Sequence, residues 1–294
     1  MCVDYKAIEC LRQVVESQGF EKAGDVLGLT QSAVSQKIKR LEQTYNSVLL
    51  IREKPLRLTD LGKKLNMHFV KVQLMEQALV KETQGENSVQ YLPVGINDDS
   101  LATWFIDVIS HFAHHKHRRL QCKIADQSQT RDLLKKGEVI AALSDVGSTV
   151  AGGQSIYLGA MDYILVASPV FISRYLGDTF IPADILKVPS LIFDENDQLW
   201  SNYQKQILLL PESVSQCHWL PSAQGFVQML LSHTVCALVP RIQVESELNE
   251  GKLIEMFPHK VLKVPLYWHW CGLDSELLDD LTEAVVKQAN ISLN

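Results

Sequence analysis

Two short amphipathic helices joined by a tight turn near the start of the sequence restrict its fold more than any other feature. Apolar residues at helical spacing predict a helix over residues 20–27, and Gly28 supplies the left-handed residue that commonly ends a helix. Thr30 is suited to cap the next helix, whose apolar face carries Ala33, Val34, Ile38 and Leu41. Two helices connected so closely predict a helix-turn-helix.

The outward face of the second helix has hydrogen-bonding side chains in its N-terminal half and cations further on. A recognition helix in the major groove needs this order, because its N-terminal residues reach base edges while its cations neutralise phosphates. A merely solvated helix face usually mixes Glu and Lys, whereas this one has no acidic residue before Glu42. We therefore predict contact with double-stranded DNA through Gln31, Ser32, Ser35, Gln36, Lys39 and Arg40.

A small wing and a long helix follow. Residues 49–59 alternate and turn like a two-stranded hairpin, whose tip carries cations suited to phosphate or the minor groove, namely Arg52, Lys54 and Arg57. From Thr59 a helix begins in which one row of residues steps alternately by four and three. This heptad seam predicts a partner helix from a second copy, although packing on its own domain is the alternative. The seam comprises Leu61, Leu65, His68, Val72, Met75 and Leu79.

The charge distribution agrees with a DNA-binding segment on an otherwise acidic protein. The 294 residues carry a formal net charge of −6, which argues against a protein covered with positive charge. Residues 22–64 nevertheless contain nine basic and four acidic side chains. A local positive surface on an acidic chain indicates two separate tasks.

The N-terminal motifs resemble the DNA-binding half of LysR-type transcriptional regulators in order, spacing and total length. The resemblance is carried by the segments at residues 19–23, 27–42, 49–52 and 58–62. It implies a winged helix-turn-helix over residues 1–58, followed by a linker and dimerisation helix with a hinge over residues 59–87.

After residue 88 the sequence alternates between strand-like and helix-like segments, which predicts parallel βαβ sheets. The predicted strands cover residues 92–97, 120–125, 139–143, 163–167, 190–193, 217–220, 235–239 and 265–270. A single helix is predicted over Leu101 to His115, opened by Ser100, and another over Thr130 to Lys136 with Gly137 at its end.

Polar residues follow four of these strands. Because ligands bind beyond the carboxyl ends of parallel strands, these side chains predict an acidic crevice able to hold a cation. Each of them taken singly is also a routine turn residue or helix cap. Ser100 opens a helix whose free N–H groups would suit a ligand carboxylate, which together with the fixed anions describes a zwitterionic or basic amino acid. The candidate effector-binding residues are Asn97, Asp98, Asp99, Ser100, Asp126, Ser144, Asp145 and Asp194.

The resemblance to the LysR family continues through this half. It implies a periplasmic-binding-protein-like effector domain over residues 88–294, with one subdomain at about 88–161 and 269–294 and the other at about 162–268. The segments at residues 94–104, 225–229 and 265–270 resemble the ArgP subgroup, also called the inhibitors of chromosome replication initiation. This resemblance implies a regulator that senses L-lysine or L-arginine and controls genes of basic amino-acid export or metabolism, with RNA polymerase as a candidate partner.

We therefore predict a non-enzymatic regulator that acts as a homodimer or homotetramer on a two-fold operator. The alternatives are a LysR-type regulator of another small molecule, an architectural or origin-binding protein that inhibits replication initiation, and a solute-binding protein or enzyme with a vestigial helical domain. No basic segment followed by an apolar core begins the sequence, and no apolar run approaches the ~18 residues of a membrane span, so we expect a cytoplasmic protein. Six cysteines without a C-x-x-C pair predict reduced thiols, and we expect neither a metal nor a cofactor.

Overall fold

The computed structural model describes residues 3–84, 89–114, 117–126, 129–195, 197–214, 216–273 and 275–293. The predicted hinge at residues 85–88 and His115, the predicted helix end, lie outside these residues. Within the described ranges, no helix is both long and apolar enough to cross a membrane.

The N-terminal part is a three-helix unit with a wing. Thr30 caps the third helix by accepting a hydrogen bond from the backbone nitrogen of Ala33 at 3.2 Å, and Gly28 has the left-handed backbone (φ 65°) expected after the second. Ile8, Leu11 and Ile38 are fully buried where the helices meet. The elements are α1 Tyr5–Glu16, α2 Phe20–Leu27, α3 Gln31–Thr44, and the antiparallel strands β1 Leu50–Ile51 and β2 Arg57–Leu58.

The long helix α4, Asp60–Gln84, connects this unit to the rest of the chain. Thr59 caps it by accepting from the backbone nitrogen of Gly62 at 3.2 Å, as predicted. Leu65 and Phe69 are buried in the core of the winged unit, whereas Val70 and Leu74, about one turn further on, are buried in the core of the effector domain. One helix therefore contributes to both cores.

The described residues of the effector domain form a nine-stranded mixed sheet. Its strand order is β4-β3-β5-β11-β6-β9-β7-β8, and β10 pairs with β6 beside this row. The strands are β3 Gln90–Ile96, β4 Arg118–Ile124, β5 Ala141–Ser144, β6 Gly153–Ala167, β7 Ser190–Ile192, β8 Cys217–Trp219, β9 Cys236–Pro240, β10 Ile254–Glu255 and β11 Leu262–Cys271.

The sheet is parallel only at its two sides, which corrects the expectation of parallel pairing throughout. Strands β4, β3 and β5 are parallel to one another, as are β8, β7 and β9. Between these groups lie the long strands β6 and β11, which pair antiparallel from Leu262 opposite Tyr163 to Cys271 opposite Gly153. The prediction identified only residues 163–167 of β6, because its first half combines Gly, Gln and Ser with only three consecutive apolar residues, Ile156 to Leu158, and has no apolar run of strand length.

Short helices cover the sheet. The single helix predicted over residues 101–115 is wrong, because Thr103 leaves helical geometry (φ −116°, ψ −98°) and Trp104 turns into the core with 1% exposure. Asn97, and not Ser100, occupies the N-cap position of the first piece. The α-helices are α5 Asp98–Ala102, α6 Phe105–Ala113, α7 Thr130–Lys135, α8 Pro169–Tyr175, α9 Gln198–Asn202, α10 Ala223–Leu231, α11 Glu245–Asn249 and α12 Glu276–Ser292.

The linker helix is hydrogen-bonded to the effector domain. The side-chain nitrogen of Asn66 donates to the backbone oxygens of Lys136 at 2.9 Å and Gly137 at 3.0 Å. Gly137 has a left-handed backbone (φ 69°), and a Cβ atom there would lie 2.6 Å from the backbone nitrogen of Met67. This close approach explains why glycine ends α7.

Candidate functional site

The predicted recognition face of α3 is open to solvent. Gln31, Ser32, Gln36, Lys39 and Arg40 are exposed, while Ser35 is half-buried. At the start of the helix the hydroxyl oxygens of Ser32 and Thr30 lie 3.0 Å apart. The apolar face of α3 packs inward, so the side chains left outside are those suited to base edges and phosphates.

The three cations predicted at the wing are also exposed, and one of them is held in place. The guanidinium of Arg52 lies 3.6 Å from the carboxylate of Glu42 and 5.8 Å from the ring centre of Phe20. Glu42 in turn accepts the backbone N–H of Leu49 at 2.9 Å. Arg52 is thus oriented beside the recognition helix, while Lys54 and Arg57 extend from the wing.

The heptad seam of α4 divides into two halves. Leu61 and Leu65 pack on the winged unit, and the ring nitrogen Nε2 of His68 lies 3.1 Å from the Tyr5 hydroxyl. Val72 is half-buried, and Met75 and Leu79 are each 58% exposed. The first half of the seam therefore packs within its own chain. Met75 and Leu79 are the exposed large apolar residues of the seam.

Strand ends and helix starts in the effector domain surround a first pocket of about 590 Å³, part of it open to solvent. Four carboxylates contribute to its wall, and Leu191, Phe193, Trp200, Phe226 and Leu238 supply apolar surface. None of the described residues that line it is a cation. The acidic lining residues are Asp98, Asp99, Asp126 and Asp197. The neutral amide of Asn97 also lines the pocket.

Three of the four carboxylates of this pocket accept hydrogen bonds from uncharged donors. Asp98 accepts from the backbone nitrogen of Ala223, at the start of α10, at 2.7 Å. Asp99 accepts from the hydroxyl of Tyr163 on β6 at 2.6 Å. Asp197 accepts from the backbone nitrogens of Phe193 at 3.0 Å and Leu199 at 2.9 Å. These bonds orient the negative charges without neutralising them.

Burial raises the pKa values of two of these groups. The pKa of Asp99 rises to about 6, because desolvation outweighs the hydrogen bond from Tyr163 and the neighbouring carboxylates of Asp197 and Asp98 add to the rise. The pKa of Asp197 is also raised by desolvation, against its backbone hydrogen bonds. The ionised forms of both carboxylates are therefore disfavoured in the pocket.

A second pocket of about 600 Å³ adjoins the first and shares Asp126 and Leu199 with it. Its wall is more polar. Besides the two shared residues it is lined by Asp145, Gln198, Asn202, Gln206, Leu262, Lys263, Val264 and Pro265. Desolvation raises the pKa of Asp145 as well.

The structure brings together most, but not all, of the predicted effector-binding residues. Asn97, Asp98, Asp99 and Asp126 line the first pocket, and Asp145 lines the second with Asp126. The remaining three lie elsewhere: Ser100 and Ser144 are fully buried outside both linings, and Asp194 is also outside them. Ser144 accepts from the backbone nitrogen of Val146 at 3.2 Å, which is the role of a turn residue.

Asp197, three residues after Asp194, lines the first pocket but was not among the predicted residues. Its signal is visible in the sequence, because an Asp that directly precedes a helix is a favoured N-cap. The chain runs beyond the end of β7 before α9 begins, so the carboxylate at the helix start reaches the pocket rather than the one at the strand end. Among the described residues, no group of three or more His, Cys, Asp or Glu side chains could hold a metal ion.

Comparison with known proteins decides the family. The model of the bacterial regulatory helix-turn-helix proteins of the lysR family matches residues 5–63, and that of the LysR substrate binding domain matches residues 88–289. The chain belongs to the LysR family. It is 37% identical to the HTH-type transcriptional regulator ArgP of Vibrio cholerae over 289 residues, covering 98% of this chain and 97% of that protein. The predicted resemblance to the ArgP subgroup is confirmed.

Two solved structures resemble the whole chain. The crystal structure of ArgP from Mycobacterium tuberculosis has a TM-score of 0.83 and 30% identity, covering 100% of this chain and 99% of that one. Full-length LysG from Corynebacterium glutamicum with bound effector Arg has a TM-score of 0.76 and 28% identity, covering 99% and 100%. This LysR-type chain is a DNA-binding transcriptional regulator with an effector domain, and its relatives are regulators rather than enzymes.

Proposed function

We propose that this LysR-type regulator responds to a basic amino acid, L-lysine or L-arginine, bound in the first pocket, and controls genes of basic amino-acid export or metabolism. The observation that carries the proposal is the charge of the pocket wall. Four carboxylates line it, and none of its described lining residues is a cation. Anions removed from water are costly unless a cation accompanies them, and a ligand ammonium or guanidinium would supply one.

A second feature of the wall also favours a hydrogen-bond donor as ligand. The side chain of Asn97 is 4% exposed, and its carbonyl oxygen Oδ1 has no hydrogen-bond partner within the part of the chain that the structure describes. Buried acceptors are normally satisfied, so this oxygen suits an N–H group of a bound molecule. The apolar side chains of Phe193, Trp200 and Phe226 on the same wall suit the methylene stem of lysine or arginine.

The comparisons support the same ligand class. LysG, which shares the whole-chain fold, has a structure with arginine as its bound effector. The curated relatives at 34–37% identity carry the name ArgP. Together with the acidic pocket, these relatives favour a basic amino acid over a dicarboxylate or an aromatic acid as the effector.

On the DNA side, we propose a homodimer, or a dimer of dimers, that binds a two-fold operator in the cytoplasm, with RNA polymerase as a further partner. The cations at the recognition helix and wing would supply most of the affinity through phosphates. The amide and hydroxyl groups would discriminate bases. These groups are Lys39, Arg40, Arg52, Lys54 and Arg57 for phosphates, and Gln31, Ser32, Ser35 and Gln36 for bases.

Isothermal titration calorimetry of the full chain tests the ligand. We expect saturable binding of L-lysine and L-arginine, and none of a dicarboxylate or an aromatic acid. Asp126→Asn, in the wall of both pockets, should weaken binding at least tenfold, whereas Asp194→Asn, outside both walls, should leave it unchanged. Equal effects of the two variants, or preference for the dicarboxylate, would remove the acidic pocket as the effector site.

A further inference from the structure

The two pockets adjoin each other and have different linings. They meet at Asp126 and Leu199, which belong to both walls. The first compartment combines carboxylates with large apolar side chains, which suits a cation on a methylene stem. The second is lined by the amides of Gln198, Asn202 and Gln206 and by charges of both signs. A ligand with a cationic end and a zwitterionic end matches this division.

Lys263 is the one cation among the described residues that line either compartment. It lies on β11, whose first four residues, Leu262 to Pro265, all line the second compartment, and Lys263 and Pro265 are the exposed ones among them. Its ammonium group is 3.9 Å from a carboxylate oxygen of Asp162, and its side chain is 67% exposed. An ion pair this long and this exposed is weak, so a ligand carboxylate can compete for the lysine.

Asp145 provides the opposite charge in the same compartment. Its carboxylate oxygen Oδ1 is buried and has no hydrogen-bond partner among the described residues, as is true of Asn97 Oδ1 in the first compartment. Each compartment therefore contains one buried acceptor without a donor. Lysine and arginine have donors at both ends, in the side-chain cation and the α-ammonium group.

Ser100, which the sequence suggested as the start of a carboxylate-binding helix, does not lie in the wall of either compartment. Ser100 is fully buried and lines neither compartment, and Asn97 takes the N-cap position of its short helix. A side chain that does line a compartment is a more direct partner for the α-carboxylate of an amino acid. Lys263 is the side chain in the two linings with the required charge.

We propose that the effector spans both compartments, with its side-chain cation at the carboxylates of the first, its α-carboxylate at Lys263 and its α-ammonium group at Asp145. This assignment rests on the proposed function, because it orients the basic amino acid that the function requires. It makes Lys263 and Asp145 the residues that distinguish an amino acid from a simple amine.

Ligands that lack one group each test the carboxylate contact in the full chain. L-lysine is compared with cadaverine, which is lysine without its carboxylate, by calorimetry at one pH and salt concentration. We expect Lys263→Met to weaken L-lysine binding about tenfold, equivalent to about 1.4 kcal/mol, and to change cadaverine binding less than twofold. Lys252→Met is the matched control, because Lys252 is also an exposed, ion-paired lysine but lies outside both linings. Equal losses for both ligands, or no loss for lysine, would overturn the carboxylate assignment.

The ammonium contact is tested with 6-aminohexanoate, which is lysine without its α-amino group. Asp145→Asn should weaken L-lysine about tenfold and 6-aminohexanoate less than twofold. If the two ligands weaken equally, Asp145 does not bind the α-ammonium group. Failure of the wild-type chain to bind lysine or arginine at all would overturn the proposed function and this assignment together. Binding with unchanged ligand ratios would overturn this assignment alone.

Discussion

Replacing Asp99 with asparagine should stabilise the regulator while removing its response to the effector. The asparagine side chain would keep an oxygen to accept the Tyr163 hydroxyl, whose bond to Asp99 is 2.6 Å long. It would not carry the charge whose burial raises the pKa of Asp99 from 3.8 to about 6. A shift of this size corresponds to a cost of about 3 kcal/mol for the ionised form, and the residue's partial exposure reduces it, so we expect a gain of about 1–3 kcal/mol.

The gain in folding stability of the Asp99→Asn variant must increase as the pH rises. Because the pKa is higher in the folded than in the unfolded chain, wild-type stability falls as the pH rises from about 4 to about 6 and is then constant with respect to this group. The Asp99→Asn variant lacks this fall. Its advantage should therefore be near zero at pH 4 and complete at pH 7.5.

Urea denaturation followed by tryptophan fluorescence measures this difference, because all five tryptophans lie between residues 104 and 270, in the effector domain. Asp178→Asn, which changes an exposed carboxylate, should show no such pH-dependent gain. A variant less stable than wild type by the same amount at pH 4 and pH 7.5 would refute the argument, since Asp99 would then act only as a hydrogen-bond acceptor. Retained lysine affinity would refute its part in the effector site.

Three further outcomes follow from the structure. Arg52→Ala should weaken binding to operator and random DNA alike, and it should lower the slope of log affinity against log salt by about one. Gln36→Ala should instead reduce the ratio of the affinity for operator DNA to the affinity for random DNA. An unchanged ratio would contradict the predicted recognition face. Met75→Glu should shift the chain toward monomers in sedimentation velocity, because Met75 is 58% exposed on the heptad seam of α4. An unchanged distribution of sedimentation coefficients would place the dimer interface elsewhere. Gly137→Ala should destabilise the fold by about 1–2 kcal/mol in the same urea assay, because residue 137 has a left-handed backbone and an added Cβ would meet Met67. Unchanged stability would show that α4 can shift to accommodate the Cβ at no cost.

The N-terminal unit was predictable because its determinants are local. Gly28 and Thr30 act on neighbouring residues, and their backbone and capping roles are read directly from residue type. The heptad seam was less decisive, because the same apolar spacing serves a second copy or the chain's own core. Leu65 packs into the core of its own chain, whereas Met75 is exposed. Only the position of α1, which is distant in the sequence, separates these two uses.

The effector domain was predictable where apolar runs mark buried parallel strands. Two features depend on partners far along the chain. The first half of β6 is a strand because β11 pairs with it from Leu266 to Cys271, and no apolar run of strand length identifies it. The break at Thr103 follows from the burial of Trp104, which tertiary packing decides over helical spacing.

The charge balance of the site shows the same limit. The sequence places aspartates after strands, and Asp98, Asp99 and Asp126 do meet at the pocket because parallel strands present their ends at one edge. The single cation of the two linings, as far as the described residues go, comes instead from an antiparallel strand that crosses the domain, where residue type alone does not decide which face is open. Lys263 is recognisable only when the pairing of β11 with β6 is known, because that pairing brings the first residues of β11, Leu262 to Pro265, to the second pocket. Residues at strand ends therefore predict only the anions of the pocket. The residue that would select an amino acid over an amine can be identified only once the sheet topology is known.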